Sequence, residues 1–318
     1  MARLIVVLTA VGLLAGQEPH VAAFSDGSPP ARRRPPPVPA RFDSKDQSVA
    51  LPFDRHDDLI FTRVRVNQSE PLWFVVDSGA SRILIDRRRA QSLGLRPEGA
   101  SSVQGAGAGR VPVEMVRGVS LSLPGLTLSD HDIWSIDLAG VTSTLGRDVD
   151  GILGYDFFAR LVITVDYTAR SLTIVGPERY RDDGKGATLP IEFDDKLPYV
   201  RGELVLPGEV TIQDRFLVDS GSSDAVDHPA VKHIPSRSET TTGVGLGTAG
   251  RGYLARGKAF RLAGFEVSDP IVACCGGTEK TSKLIGGAIL SHFRVTFDYA
   301  NSRLIIAPGQ NAKRTRQP

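Results

Sequence analysis

The chain has 318 residues, with 38 basic and 36 acidic side chains and a formal net charge of +2. That length is enough for one or two well-cored domains, and so even a balance provides no overall field to draw nucleic acid. The two cysteines, Cys274 and Cys275, are adjacent, so they cannot staple a long loop and have no zinc-ligand spacing.

The amino terminus reads as an export signal. Arg3 precedes an apolar run from Leu4 to Ala15, too short to span a bilayer comfortably, and Val21-Ala22-Ala23 offers compact residues for cleavage after Ala23. An uncleaved anchor helix is the competing reading, and no later segment resembles a membrane span. After cleavage no stable membrane insertion is expected, and the chain is expected in the periplasm or outside the cell. Residues 24–48, rich in Pro, Arg, Ser and Asp, read as a linker or propeptide, with Pro35-Pro36-Pro37 favouring extended geometry and Arg32-Arg33-Arg34 a solvated run.

Strands are expected from Val49 onward. Leu59 to Val66 is β-rich, Asn67-Gln68-Ser69-Glu70 supplies a polar turn, and Leu72 to Val76 returns. Asn67-Gln68-Ser69 also fits a glycosylation sequon, read here as an unmodified turn. Arg82 to Ile85 forms a further strand, and Asp86 is placed to cap a short helix from Arg87 to Leu93 that stops at Gly94. Later, Asp227 has the same expected capping role, with Pro229 in the first turn. Gly105, Gly107 and Gly109, and again Gly243, Gly245 and Gly247, mark two hairpin tips. Gly245, Gly247 and Gly250 match a dinucleotide fingerprint in spacing alone, because no strand leads in and no amphipathic helix follows. The six histidines show no ligand pairing, so neither metal nor cofactor is expected. The two cysteines read as semi-buried thiols on a strand, with a vicinal disulfide as the alternative.

The chain repeats itself. Phe74-Val75-Val76-Asp77-Ser78-Gly79-Ala80-Ser81 returns as Phe216-Leu217-Val218-Asp219-Ser220-Gly221-Ser222-Ser223. Downstream, Ile152-Leu153-Gly154 returns as Leu284-Ile285-Gly286, and Val162 to Tyr167 returns as Arg294 to Tyr299. Repetition with loop-sized length changes is the mark of a duplicated domain. Two carboxylates, each ending a buried strand in its own half, can meet at a two-fold seam. Held that close they cannot both ionise, so they share a proton, one acting as base and the other as acid.

Paired Asp-Ser-Gly motifs, each followed by an apolar-apolar-Gly element, resemble the pepsin/retropepsin clan of aspartic peptidases. Ile152 to Phe158 is similar to the retropepsin version, and Phe297 to Leu304 to the closing hairpin of pepsin-like enzymes. The resemblance runs from Val49 to Pro308. It implies an all-β, bilobal acid-protease fold with two homologous barrel-like lobes, short helices and a cleft between them. The expected divisions are a signal over 1–23, lobes over 49–186 and 187–310, and a basic tail over 311–318. The catalytic pair it implies is Asp77 and Asp219. Gly79 and Gly221 would let backbone amides approach the carboxylates, and Ser78 and Ser220 would lock the two loops together, a role usually given to threonine. Ser81 and Ser223 either donate to the outer carboxylate oxygens or cap ordinary turns. Ser222, facing Ala80 in the other copy, adds a hydroxyl expected to favour the Asp219 anion. Glycine-rich tips in both halves, one at Gly107 and one at Gly245, match two retropepsin-like flaps in one chain rather than the single tyrosine-bearing flap of pepsin.

The function so implied is hydrolysis of peptide bonds in a peptide or protein substrate by a monomer, through water activated between the aspartates. The other reading is an exported module that binds peptide or polymer without cleaving it. In the inactive relatives of this clan an aspartate or its glycine is generally lost, and both copies here keep both. A dimer with two sites is less economical than pairing within the chain.

Overall fold

The computed structural model describes residues 6–7, 40–105, 109–242, 244–247, 250–275, 283–309 and 313–314. Strands dominate it and every helix is short, which gives an all-β fold of two lobes. Among the described residues, a nine-stranded sheet builds the first lobe and an eleven-stranded sheet the second, while a six-stranded sheet crosses beneath both.

The crossing sheet explains why the halves stay together. Its order is Ser48–Pro52, Ser171–Val175, Val162–Asp166, Phe293–Asp298, Arg303–Pro308 and Ala187–Pro190, three strands from each half of the chain. The central pair is antiparallel, with Thr164 opposite Thr296. Their hydroxyls meet at 2.8 Å, and the flanking Ile163, Val165, Val295 and Phe297 are fully buried. One continuous apolar cluster runs from Leu51 through Ile163 and Phe297 to Ile306, so the lobes share a core rather than merely touching.

Each lobe repeats one local device. Gly151–Leu153 lies parallel to Phe74, Val75 and Val76 and antiparallel to Ile85 and Leu84. Leu284–Ile285 lies parallel to Leu217 and Val218 and antiparallel to Val226 and Asp227. These strands are apolar on both faces because both faces are covered, which is why the sequence runs hydrophobic without alternation. Hairpins rise from each sheet: Glu98–Gln104 with Arg110–Leu123, and Ser238–Thr242 with Gly250–Arg256.

Three local features add to the picture. Asp86 caps Arg87–Ser92 by accepting the Arg88 and Arg89 amides, both at 3.1 Å. Asp227 does not cap its counterpart. It belongs to the short strand Val226–Asp227, and His228 caps Pro229–His233 instead, its Nδ1 accepting the Ala230 amide. His228 stands as far along the chain from Asp219 as Asp86 does from Asp77, so the capping position equivalent to Asp86 is one residue past Asp227. Cys274 and Cys275 are joined as a vicinal disulfide rather than standing as two thiols.

Two residues of the stretch read as a linker, Arg41–Phe42, pair with Leu126 and Thr127, and Lys313–Arg314 of the tail pairs with Phe265 and Glu266. Val6–Val7 runs parallel to Val244–Gly245 at the second hairpin. Among the described residues no helix is long and apolar enough to cross a membrane.

Candidate active site

The site is assembled where the two apolar strands end. The Asp77 amide donates to the Leu153 carbonyl at 3.0 Å, and the Asp219 amide to the Ile285 carbonyl at 3.0 Å. Each threaded apolar-Gly element therefore anchors the loop that carries an aspartate. Gly154 and Gly286 follow at once, and a Cβ at either would collide with the carbonyls of Arg82 or Asp224.

The loops are locked to each other by four reciprocal hydrogen bonds. The Ser78 amide donates to Ser220 Oγ at 2.9 Å and the Ser220 amide to Ser78 Oγ at 3.0 Å. The hydroxyls donate onward, Ser78 Oγ to the Val218 carbonyl at 2.7 Å and Ser220 Oγ to the Val76 carbonyl at 2.8 Å. All four have ordinary lengths, so serine holds the loops as closely as hydrogen bonds allow. Both serines are fully buried, and each amide and hydroxyl is satisfied across the seam.

This lock brings the aspartates face to face. A Cβ on Gly79 would lie 2.5 Å from Asp219 Cγ, and one on Gly221 would overlap the Asp77 carboxylate. Only glycine permits that approach. Asp77 Oδ1 accepts the Gly79 amide at 2.8 Å and the Ala80 amide at 3.0 Å, while Asp219 Oδ1 accepts the Gly221 amide at 2.9 Å. Asp77 Oδ2 is fully enclosed with no fixed donor among the described residues, so its partner is the Asp219 carboxyl once one of the two carries a proton. Burial first, and the neighbouring Asp219 charge second, hold the Asp77 carboxyl well above the usual carboxylate range, against the pull of its two amides. A pair of this kind can keep one proton and one negative charge.

The supporting residues are less uniform. Ser222 Oγ accepts the Asp224 amide at 3.1 Å and forms no bond to Asp219 among the described residues, so it braces the turn instead of the anion. Ser81 is buried in its loop without a bond to Asp77 among the described residues, and Ser223 is half-buried beside Ser222. Of the expected tip glycines, Gly107 lies outside the described residues, Gly109 is exposed with φ 84°, and Gly245 sits in Val244–Gly245. Gly105 and the second tip meet, because a Cβ on Gly105 would strike the Leu246 carbonyl. Leu246 itself is buried in the first lobe's cluster with Val103, Val113, Trp134, Val141 and Leu145.

Three residues near the site were given no role of their own from the sequence: Leu246, Asp224 and Tyr299. Asp224 follows Asp219 on the same loop, buried with a carboxyl raised well above the usual range by burial and by the charges of Asp227 and Asp219. Its counterpart in the other copy is Arg82, whose Nη1 lies 3.6 Å from Asp156 Oδ1. Tyr299 donates its hydroxyl to the Ser78 carbonyl at 3.2 Å from beneath the loop. Only the unequal residue at the equivalent motif position, Arg82 against Asp224, was visible beforehand. Among the described residues no group of three or more His, Cys, Asp or Glu could hold a metal ion.

Residues 62–157 match the sequence model of the family described as Aspartyl protease. That segment carries Asp77, the threaded Gly151–Leu153 and the first hairpin, and it is that of an aspartyl protease of the pepsin/retropepsin type. The match ends before Asp219, so the second lobe's likeness to the first rests on its strand pairing and loop geometry. No curated protein sequence matches the chain.

Proposed function

We propose that the protein is an exported aspartic endopeptidase whose dyad is Asp77 and Asp219, the two halves being copies of one ancestral lobe. One observation carries this reading: each loop's glycine opens directly onto the other loop's carboxylate. A merely structural turn has no need of that approach.

In the proposed reaction a water lies between the two carboxyl groups. The ionised one takes a proton from it as the water oxygen bonds to the peptide carbonyl carbon. The protonated one gives its proton to the carbonyl oxygen, forming a neutral tetrahedral diol. Collapse of the diol re-forms the carbonyl and breaks the C–N bond, with a proton delivered to the leaving amine. Asp77 and Asp219, kept to one proton by their proximity, supply both functions without a covalent intermediate. The tips at Gly105 and Leu246 close over the peptide and restrict water. The leader and Pro-rich stretch support export to the periplasm or medium, with a monomer pairing both aspartates in one chain.

The test is incubation of the mature chain with a mixed peptide library from acidic to neutral pH, with and without pepstatin. Pepstatin-sensitive cleavage that disappears in Asp77→Asn is the expected result. Pepstatin or peptide binding without cleavage in the unaltered protein would instead make it a binding module.

A further inference from the structure

The two copies differ beneath the dyad in one buried hydroxyl. Tyr167 and Tyr299 each follow the last aspartate of a central strand, Asp166 or Asp298. Their phenol groups have different fates. Tyr299 donates to the Ser78 carbonyl at 3.2 Å, whereas the Tyr167 hydroxyl is buried with no partner among the described residues. Tyr167 instead packs edge-on to Phe53 with Arg55 above its ring.

The Ser78 carbonyl and the Gly79 amide belong to one planar peptide unit. Tyr299 donates to the oxygen at one end, and the N–H at the other end donates to Asp77 Oδ1 at 2.8 Å. A hydrogen bond accepted by a peptide oxygen draws electron density through the C–N bond and sharpens the N–H as a donor. The chain of contacts is therefore phenol, peptide, carboxylate. In the other loop the Gly221 amide reaches Asp219 Oδ1 at 2.9 Å, but among the described residues no hydroxyl is bonded to the Ser220 carbonyl.

From this arrangement we propose that Tyr299 is a positioning residue that acts through the Ser78–Gly79 peptide to steady the Asp77 anion, making the two aspartates inequivalent. The proposal rests on the reading of Asp77 and Asp219 as the working pair. Burial and the nearby Asp77 charge raise the Tyr299 phenol well above its ordinary value, so it remains a donor throughout the working range. The titratable groups around this chain of contacts are Asp219, which faces Asp77, Tyr155 beside Tyr299, and Asp224 and Tyr199, which feel the Asp219 charge. Two cations stand by, Arg82 of the motif loop and Lys196 5.0 Å from the Tyr155 ring centroid, and both are set against Asp156 Oδ1, at 3.6 and 3.5 Å. The phenol, by contrast, is bonded to the very peptide that carries an Asp77 donor.

Tyr299 is held for this task by aromatic packing. Its ring lies 5.3 Å from Phe158, 4.9 Å from Phe193 and 5.8 Å from Tyr155, measured between centroids. Phenylalanine at 299 keeps that packing and removes only the donor.

The experiment compares Tyr299→Phe with Tyr167→Phe. Two readouts apply: the acidic limb of the kcat/KM profile, and the titration of the dyad by carboxyl ¹³C shifts of labelled aspartate. Loss of the donor at 299 should move the acidic limb and the Asp77 titration upward, on the order of half a pH unit. Tyr167→Phe should leave both unchanged, since that hydroxyl has no partner among the described residues. Site-specific 3-fluorotyrosine at 299, a stronger donor, should move them the other way and guards against poor folding of the phenylalanine variant. Superimposable titrations for Tyr299→Phe and the unaltered protein, or equal shifts in both phenylalanine variants, would overturn the proposal. The carboxyl titration needs no turnover, so the two readings fail separately. Retained cleavage in Asp77→Asn sinks the dyad, while an unmoved Asp77 titration in Tyr299→Phe sinks only the relay.

Discussion

Gly221 of the second loop lies so near Asp77 of the first that a single methyl group on it would overlap the carboxylate, and Gly79 stands to Asp219 in the same way. Gly221→Ala must therefore push the loops apart or turn Asp77 aside. Overpacking at such a seam costs about 1–3 kcal/mol. Cleavage should be lost more completely than stability. A peptide assay and a thermal melt on the same preparation check this, and an alanine variant with unaltered turnover would show that the seam gives way to a methyl group.

Asp77→Asn and Asp219→Asn should each lower kcat/KM by at least about a hundredfold, the scale of a positioned acid or base. The fold should survive, because asparagine retains an oxygen to accept the Gly79 or Gly221 amide. Circular dichroism beside the kinetics separates lost chemistry from lost structure.

The Gly105 position tests the tips. A side chain there meets the Leu246 carbonyl, so Gly105→Val should hold the hairpins apart and cut turnover while shifting the melting point little. A melt that collapses along with activity would make the contact structural instead.

Ser222→Ala is predicted to act on stability rather than on the acidic limb. Its hydroxyl accepts the Asp224 amide, and leaving that buried donor unpaired costs about 1 kcal/mol or more. Denaturant unfolding reads the loss, and a pH profile superimposed on the unaltered protein goes with it. A moved profile would mean that the hydroxyl reaches the dyad in solution.

Asp227 provides a pH dependence of stability. Burial pushes its carboxyl up to about 7, and its Oδ1 has no hydrogen-bond partner among the described residues. The folded protein thus holds this proton more tightly than the unfolded chain, whose aspartates titrate near 3.9. The stabilising contribution is complete below the unfolded value and is lost as pH rises through about 7. Stability should rise on acidification from neutral toward pH 4, by about 2–4 kcal/mol from this group. Asp227→Asn should flatten that slope in melts taken across the range, and an unchanged slope would assign it elsewhere.

Much of this architecture could be read from the sequence because it rests on short-range rules. Leu72 to Val76 and Leu59 to Val66 are strands by residue type, Asp86 is a cap by position, and paired apolar-Gly elements announce loops that must pass close together. What escaped depends on contacts between distant segments. No local pattern says that Leu246 leaves its own lobe for the apolar cluster of the other. The Asp227 cap failed because the position matching Asp86 in the repeat is held by His228, whose ring nitrogen does the work expected of a carboxylate. Tyr299 stood out in sequence only as part of a closing hairpin, since nothing in Asp298-Tyr299 records that the phenol reaches a carbonyl 221 residues away.

The crossing sheet has a consequence for how the protein responds to dilution. Val162–Asp166 and Phe293–Asp298 are neighbours in one hydrogen-bonded layer, and they belong to the same chain. The encounter of the two loops is then a first-order event with an equilibrium constant free of concentration units. A pair of half-sites on separate chains would come apart as the solution was thinned, each tenfold dilution costing about 1.4 kcal/mol of association. Here the tether removes that term, so the fraction of molecules with Asp77 beside Asp219 stays the same from a concentrated stock to a few molecules in a large volume. Were the chain released into a space where it meets few others of its kind, the site would arrive already assembled.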